Sequence, residues 1–477
     1  MKYSTTILTF FATALLVTGC TEGHNATKSP AGESHANDWE YQITYQRGFE
    51  VVAWALPAIS MMGMREANFS LGGGYNTVYI MTQPPTALAE ALTANNQTPY
   101  ASIFMTTKEG PVVLDIPPAS DRTAIFGSAI DVWQVPVADI GPAGTDQGRG
   151  GRYLFLPPGY DGDIPDGFFP VHMDTYDIFV ALRNIPLGDA SFQEAAEYSR
   201  RINAYPLSTA NNPPAGNHID MAGKHLPTLP VYDTGLFEDI VTLINHEPLL
   251  ERDKVMGGML ASIGISRGSA FDPTDKQTAA LTQSVKDSRG YLEHMFETPG
   301  YSLEAYRDDR QWQLPRQPSQ AGFVFDEGEY LLLDERSSLF HWATFFPRRL
   351  GTASAYITSL RDSDGTLLSG EHLYRLTVPA DVPARDFWSV IAYGKDTKAF
   401  IYNDLGRVGL SSYDKDTLQI SDNGSVDLYF GATAPTGLES NWIPTSGKDF
   451  FLMFRLYGPE ETYFDKSFDL PDIEKLD

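Results

Sequence analysis

The sequence predicts an α+β protein weighted towards β, in which two β-domains flank a helical portion. Three observations carry this reading. Between Tyr75 and Arg183 short apolar runs alternate with Gly, Pro and Asp; from Gly235 to Phe296 apolar residues recur every three or four positions; beyond Ser319 strand-like runs return. With 42% apolar and 12% aromatic residues over 477 positions, the chain can fill several cores, which corresponds to roughly two to four domains.

The N-terminus comes first. Lys2 precedes an apolar run from Ile7 to Val17, too short to span a bilayer comfortably, and this is the pattern of a signal peptide. The run closes in Val17-Thr18-Gly19-Cys20, which resembles the lipobox of bacterial lipoproteins, and Cys20 is the single cysteine of the chain. The expectation is export, cleavage of residues 1–19 and lipid attachment at Cys20, with anchoring made stable by several acyl chains. Thr21 stands where an inner-membrane retention signal has Asp, so the outer membrane is the expected address. Residues 20–38, rich in Ser, Gly, Ala, Asn and Pro, read as a flexible tether.

From Tyr41 to Ala67, Phe49, Val52, Ala53, Leu56 and Ile59 keep near-helical spacing, with Pro57 expected to bend or interrupt the helix. Thr77 to Ile80, Pro111 to Ile116, Thr123 to Ile130 and Arg152 to Leu156 read as strands of a first β-domain over 39–190. Leu236, Ile240, Leu243, then Val255, Met259, Ile263, then Leu281, Val285, Leu292 predict three helices within 191–320, and proline and charge mark 301–319 as linker. Strands near His372–Val378, Phe387–Tyr393, Ser425–Phe430 and Phe450–Tyr457 build a second β-domain over 321–477.

The formal charge of −26 repels nucleic acid and anionic lipid. With one cysteine, no disulfide can form within the chain. Gly264-Ile265-Ser266-Arg267-Gly268 matches the nucleophile-elbow pattern, but the residues before it look helical, so a helix C-terminal loop is the better reading. Asp362, Asp364 and Glu371 fall at calcium-loop spacing around Gly365, yet Leu360 occupies the first position. A strand turn is preferred, with calcium as the alternative. The nine histidines show no metal-ligand spacing, so no transition metal is expected. Gly72-Gly73-Gly74 lacks the lysine of a phosphate cradle. Trp133, Trp312, Trp342, Trp388 and Trp442 are candidates for a ligand groove, though tryptophans at this density more often fill cores. Arg183 ends an apolar strand and Arg455 lies inside one apolar on both faces. Such a cation needs a partner, and serves either as an internal strut or as a ligand clamp.

Long motifs then place the chain beside a known family. Tyr75-Asn76-Thr77-Val78-Tyr79, Gly141-Pro142-Ala143-Gly144 and Gly151 to Tyr160 in the first domain resemble the domain of unknown function numbered 1254. Tyr374 to Ala380, Phe387-Trp388-Ser389, Asn441 to Thr445 and Phe454 to Glu460 resemble the domain of unknown function numbered 1214. The resemblance implies two jelly-roll-like antiparallel β-sandwiches with a helical portion between them, in proteins that tend to be oligomeric, and it implies no accepted reaction. Ser266 stands where the family usually has Glu, and Leu405 to Ser412 replaces a basic, serine-rich stretch.

Two functions remain open at this level. One is a non-enzymatic envelope protein that binds or assembles through its sandwiches, as jelly rolls commonly do. The other is a hydrolase acting on a polysaccharide or small amphiphile through paired carboxylates. Polar groups inside apolar motifs mark the candidate ligand-binding positions: Asn76, Tyr79, Arg183, Trp388, Asn441, Trp442, Arg455 and Tyr457. The membrane, through lipid on Cys20, and further copies of the chain are the expected partners.

Overall fold

The computed structural model describes residues 35, 37–317, 324–348 and 354–477; Cys20, with its lipid-attachment reading, and nearly all of the tether lie outside them. Among the described residues helix accounts for 26% and strand for 28%, in sandwich-like domains with no barrel. Each β-domain stacks a six-stranded sheet on a four-stranded one. In the first, the larger sheet runs 217–220, 77–80, 100–106, 177–186, 123–131, 136–140, and the smaller runs 203–206, 112–116, 151–156, 169–172. The second repeats the plan with 303–305, 313–315, 354–359, 450–459, 384–394, 409–411 over 442–444, 426–431, 374–378, 474–475.

Side-chain alternation along the long central strands explains why they read as apolar on both faces. On Phe450–Pro459, Phe450, Leu452, Phe454 and Leu456 enter the sandwich core beside Leu376 and Leu428. Phe451 and Met453 point the other way, to a second cluster with Trp342 and Tyr393. On Asp177–Pro186, Ile178, Val180 and Leu182 face inward, whereas Phe179 and Ala181 face helices. Both large sheets are therefore covered on both sides. Each fully buried Leu or Phe contributes about 1.5–3 kcal/mol.

The covering comes from helices. Helix α1 (Trp39–Phe69) is capped by Asp38, whose Oδ1 accepts from the Tyr41 amide at 3.3 Å. It runs through Pro57 without interruption, so of the bend or break expected there the break does not occur. Gln134 binds the Pro57 carbonyl at 2.8 Å, and packing of α1 along its length outweighs the bond lost to the proline ring. A short helix α2 (Phe192–Tyr198) flanks strand 177–186. Helices α3 (Gly235–His246), α4 (Lys254–Ser262) and α5 (Asp275–Glu297) match the three expected, and with α1 they pack on Phe104, Ile130, Trp133 and Phe179 of the first domain. Gly48 lets α1 approach α5 closely, since a Cβ there would lie 2.4 Å from Ser284 Oγ. Helix α6 (Leu333–Trp342) was not legible, because Asp334-Glu335-Arg336-Ser337-Ser338 reads as polar; Arg336, Ser337 and Ser338 are nevertheless buried.

The sheets also cross the domain limits drawn from sequence. Strands 203–206 and 217–220 belong to the first domain's sheets, although that domain was bounded at 190. The segment read as linker holds strands 303–305 and 313–315, which extend the second domain's large sheet. Three-residue strands are too short to leave a periodic signal. Gly264–Gly268 follows the end of α4 as a loop. At the calcium-like turn, Asp362 Oδ1 accepts from the amides of Asp364 and Thr366 at 3.0 and 2.9 Å, the use of a turn aspartate. Among the described residues no helix is long and apolar enough to cross a membrane.

Candidate interdomain anion site

The strand alternation that buries Phe179 and Met453 carries Arg183 and Arg455 to the outer faces of the two large sheets. There a cavity of about 700 Å³ opens between the domains. Its walls are mostly apolar, among them Phe126, Ile140, Leu187, Phe345, Phe346 and Met453. Its floor is cationic. Arg183 donates from Nη1 to the Tyr356 hydroxyl of the other domain at 2.9 Å, with its guanidinium 5.6 Å from the Tyr100 ring. Arg455 reaches back into the first domain, donating from Nη2 to the carbonyls of Thr93 at 2.5 Å and Ala94 at 3.3 Å, and to the Tyr393 hydroxyl at 2.7 Å. Tyr393 in turn donates to the Ala94 carbonyl.

No carboxylate among the described residues pairs with either arginine. Arg455 is 2% exposed, and its Nε is buried without a partner among those residues, as is the Tyr457 hydroxyl beside it. Arg183 is deep in the molecule yet open to the cavity. The two carboxylates that line the cavity are committed elsewhere. Asp386 is exposed and paired with Arg385 at 2.8 Å, and Asp139 accepts from Ser128 Oγ at 3.1 Å and the Arg348 amide at 3.3 Å.

Tyr356 sits between the guanidinium groups. Its hydroxyl lies 2.8 Å from Ser354 Oγ and accepts from Arg183, and Arg455 lies 5.0 Å from its ring centroid. Burial pushes the phenol's pKa up, but the charges of Arg183 and Arg455 outweigh burial and hold it below the ordinary tyrosine value. Two wall residues carry left-handed backbone without being glycine: Thr93 (φ 41°) and Phe345 (φ 42°). Each such residue costs about 1–3 kcal/mol. Both are held by bonds from a distance, the Thr93 amide to the Lys398 carbonyl at 2.7 Å and the Phe345 amide to Gln134 Oε1 at 3.0 Å.

Of the residues singled out by sequence, the fold brings Arg183, Arg455 and Tyr457 together and leaves the others in structural contacts. Asn76 adopts φ 64° and pins its amide to the Phe104 carbonyl at 2.8 Å. Tyr79 is buried and donates to the Gly72 carbonyl at 3.1 Å. Asn441 binds the backbone of Gln419 and Asp427, Trp442 donates to the Gly431 carbonyl at 3.0 Å, and Trp388 stacks on Phe454. The tryptophans form no common groove: Trp133 packs on Trp54, and Trp312 and Trp342 fill separate cores. Tyr356, Ser354, Thr93 and Phe345 were missed. Ser354 and Tyr356 share a face of strand 354–359, which was not read from the sequence, and nothing uncharged in such a strand announces a site.

A second charged cluster lies at the other end of strand 177–186. Asp177 accepts from Arg65 at 2.7 Å and Tyr75 at 2.9 Å and bonds His246 Nε2 at 2.8 Å. Glu247 accepts the amides of Tyr176 and Asp177 at 2.6 and 2.9 Å. Burial, then the Asp177 charge, raise the Glu247 pKa to about 7. Asp177, His246 and Glu247 offer ligand atoms within 4.8 Å of one another, the arrangement among the described residues nearest to a metal site. Their oxygens are already matched by Arg65, Tyr75 and backbone amides, which is the condition of a structural network.

The comparisons agree with this two-domain plan. Residues 75–206 match the family described as Protein of unknown function (DUF1254), and residues 353–461 match Protein of unknown function (DUF1214). The chain belongs to the two-domain DUF1254/DUF1214 family. A crystal structure of a Vibrio parahaemolyticus protein is similar over 91% of this chain and 100% of its own, at 18% identity and a TM-score of 0.56, a likeness of fold. A putative uncharacterized protein from Burkholderia cenocepacia aligns at 11% identity with a TM-score of 0.40, over 93% of this chain and 96% of its own. No curated protein matches the sequence. Within this family plan, the cavity lies where the large sheets of the two domains face each other, and both contribute to it.

Proposed function

We propose that this chain is a lipid-anchored protein of the bacterial envelope, placed at the outer membrane, whose interdomain cavity binds a small anionic ligand without catalysis. One observation carries the binding reading: at the floor of the cavity stand Arg455, buried, and Arg183, half-buried, and no carboxylate among the described residues pairs with either. A buried guanidinium without a counter-charge is costly, and a chain that needed only struts would match each arginine with Asp or Glu. An anion in the cavity supplies the missing charge. The lipobox-like Val17-Thr18-Gly19-Cys20 supports the anchoring, and the family resemblance supports self-association. A hydrolase working through paired carboxylates draws less support, since Asp139 and Asp386 are both engaged away from the floor.

The test is a thermal-shift screen of the mature chain carrying Cys20→Ser, with anionic, neutral and cationic small molecules at matched ionic strength. A ligand at one hundred times its Kd stabilises the native state by about 2.7 kcal/mol. A saturable rise in melting temperature confined to anions is expected. Equal shifts from neutral and cationic compounds, or none from any, would sink the reading.

A further inference from the structure

We propose that the ligand of this cavity is a monocarboxylate with an apolar body, its carboxylate resting on the floor formed by Arg183, Tyr356 and Arg455 and its body lying along Phe126, Ile140, Leu187, Phe345 and Met453. This rests on the anion-binding reading and narrows it to one chemistry.

The donor inventory argues for a carboxylate. Arg183 spends one N–H on Tyr356, and Arg455 spends Nη2 on Thr93, Ala94 and Tyr393, while Arg455 Nε has no partner among the described residues. What remains is two partly used guanidinium forks, a match for the two oxygens and about four lone-pair sites of a carboxylate. A phosphate asks for more. Its three terminal oxygens are usually met by a run of backbone amides or a lysine, and neither a lysine nor a helix N-terminus lines this cavity. The remaining wall argues for the apolar body. Apart from the floor, the Arg385–Asp386 pair and Asp139, Ser128 and Thr344, it is lined by apolar side chains such as Leu92, Ile185, Pro186 and Phe346. A bare inorganic anion would leave that surface wet, whereas 700 Å³ falls within the ordinary range for organic ligands, roughly 300–1,000 Å³. The left-handed backbone at Thr93 and Phe345 holds this wall in place, and such strain gathers at ligand sites.

Calorimetric titration of the mature Cys20→Ser chain with decanoate, decyl phosphate, decanol and acetate separates the claims. Saturable binding of one decanoate per chain is expected, at least tenfold tighter than each of the other three. Arg183→Met should weaken decanoate at least tenfold. Arg183 makes one side-chain hydrogen bond, to Tyr356, and stands over the Tyr100 and Phe126 rings, which methionine can still pack against; Arg183→Lys is a second variant that keeps the charge and loses the fork. Decyl phosphate binding more tightly than decanoate would overturn the carboxylate assignment and leave the anion site standing. Acetate matching decanoate would overturn the apolar body. Decanoate affinity unchanged in Arg183→Met would overturn the placement, and no binding by any probe would overturn this inference and the function it rests on together.

Discussion

Strand 177–186 carries a charged group near each end, Asp177 buried and Arg183 half-buried, and the two ends are built on opposite principles. At Asp177, each charge meets an opposite charge or an amide: Arg65 at 2.7 Å, His246 at 2.8 Å, with backbone donors on Glu247. At Arg183, the cation meets a phenol, two aromatic rings and a cavity, and the second domain adds another cation, Arg455, instead of a carboxylate. Matched charge locks α1 and α3 to the sheet. At the other end the two guanidiniums are held by neutral partners alone, Tyr356, Tyr393 and the Thr93 and Ala94 carbonyls, and their charge stays uncompensated among the described residues. The difference distinguishes a matched network from the proposed ligand site without appeal to residue type, since arginine stands in both.

The largest expected effect breaks the matched end. Arg65→Met leaves Asp177 buried, 3% exposed, with its guanidinium partner removed. Breaking a buried pair by removing one partner costs about 3–5 kcal/mol. The urea midpoint of the variant should fall accordingly while decanoate affinity stays unchanged. An unfolding free energy within about 0.5 kcal/mol of the parent would mean that the Asp177 network is no strut.

How much of this was legible in the sequence differs between the ends for a physical reason. Arg455 and Arg183 stood out because each interrupts an apolar alternation, so burial of a cation follows from local pattern alone. That they share one cavity depends on two sheets meeting across domains, which no spacing encodes, and their common contact Tyr356 looks like any strand tyrosine. The Asp177 network was invisible. His246 at the end of α3 reads as an isolated histidine, and Arg65 lies 112 residues from its partner. The sandwiches and three helices were readable from periodicity, whereas α6 and strands 303–305 and 313–315 were too polar or too short. Pro57 misled, because the bond it removes from α1 is small beside the burial of Val52, Leu56 and Ile59.

The next effect in size sharpens the unmatched end. With the cavity empty, Tyr356 is the group nearest both guanidiniums that can become an anion, and its pKa is held below the ordinary tyrosine value near 10. The sign follows from competition. A bound carboxylate takes over the two positive charges and drives the phenol back to its neutral form, so binding takes up a proton. Affinity should fall as pH rises through the Tyr356 pKa of the empty protein, by up to about tenfold, or 1.4 kcal/mol, per pH unit. In Tyr356→Phe the profile should be flat over the same range. Calorimetry in buffers of different ionisation enthalpy reads the proton count directly. A parent profile as flat as that of the variant would show that the phenol stays neutral and that the two charges are screened another way.

The smallest expected effect is the most telling about purpose. Arg183→Met removes one of two unpaired cations and replaces it with a side chain of similar reach, at the loss of one hydrogen bond to Tyr356. Losing that bond costs about 1 kcal/mol, and relief of the uncompensated charge offsets a similar amount, so the ligand-free stability should change by less than about 1 kcal/mol in either direction. The folded pKa of Tyr356 should rise once a flanking charge is gone. The parent's stability should therefore climb relative to the variant as pH increases from the lowered Tyr356 value towards 10, because a depressed pKa contributes stability above it. Urea midpoints of both proteins at neutral pH and at pH 9 give the comparison. A loss of about 3 kcal/mol or more at neutral pH would place Arg183 with Arg65 among the struts. A change near zero, joined to lost decanoate binding, leaves ligand capture as the role that keeps a guanidinium at this position.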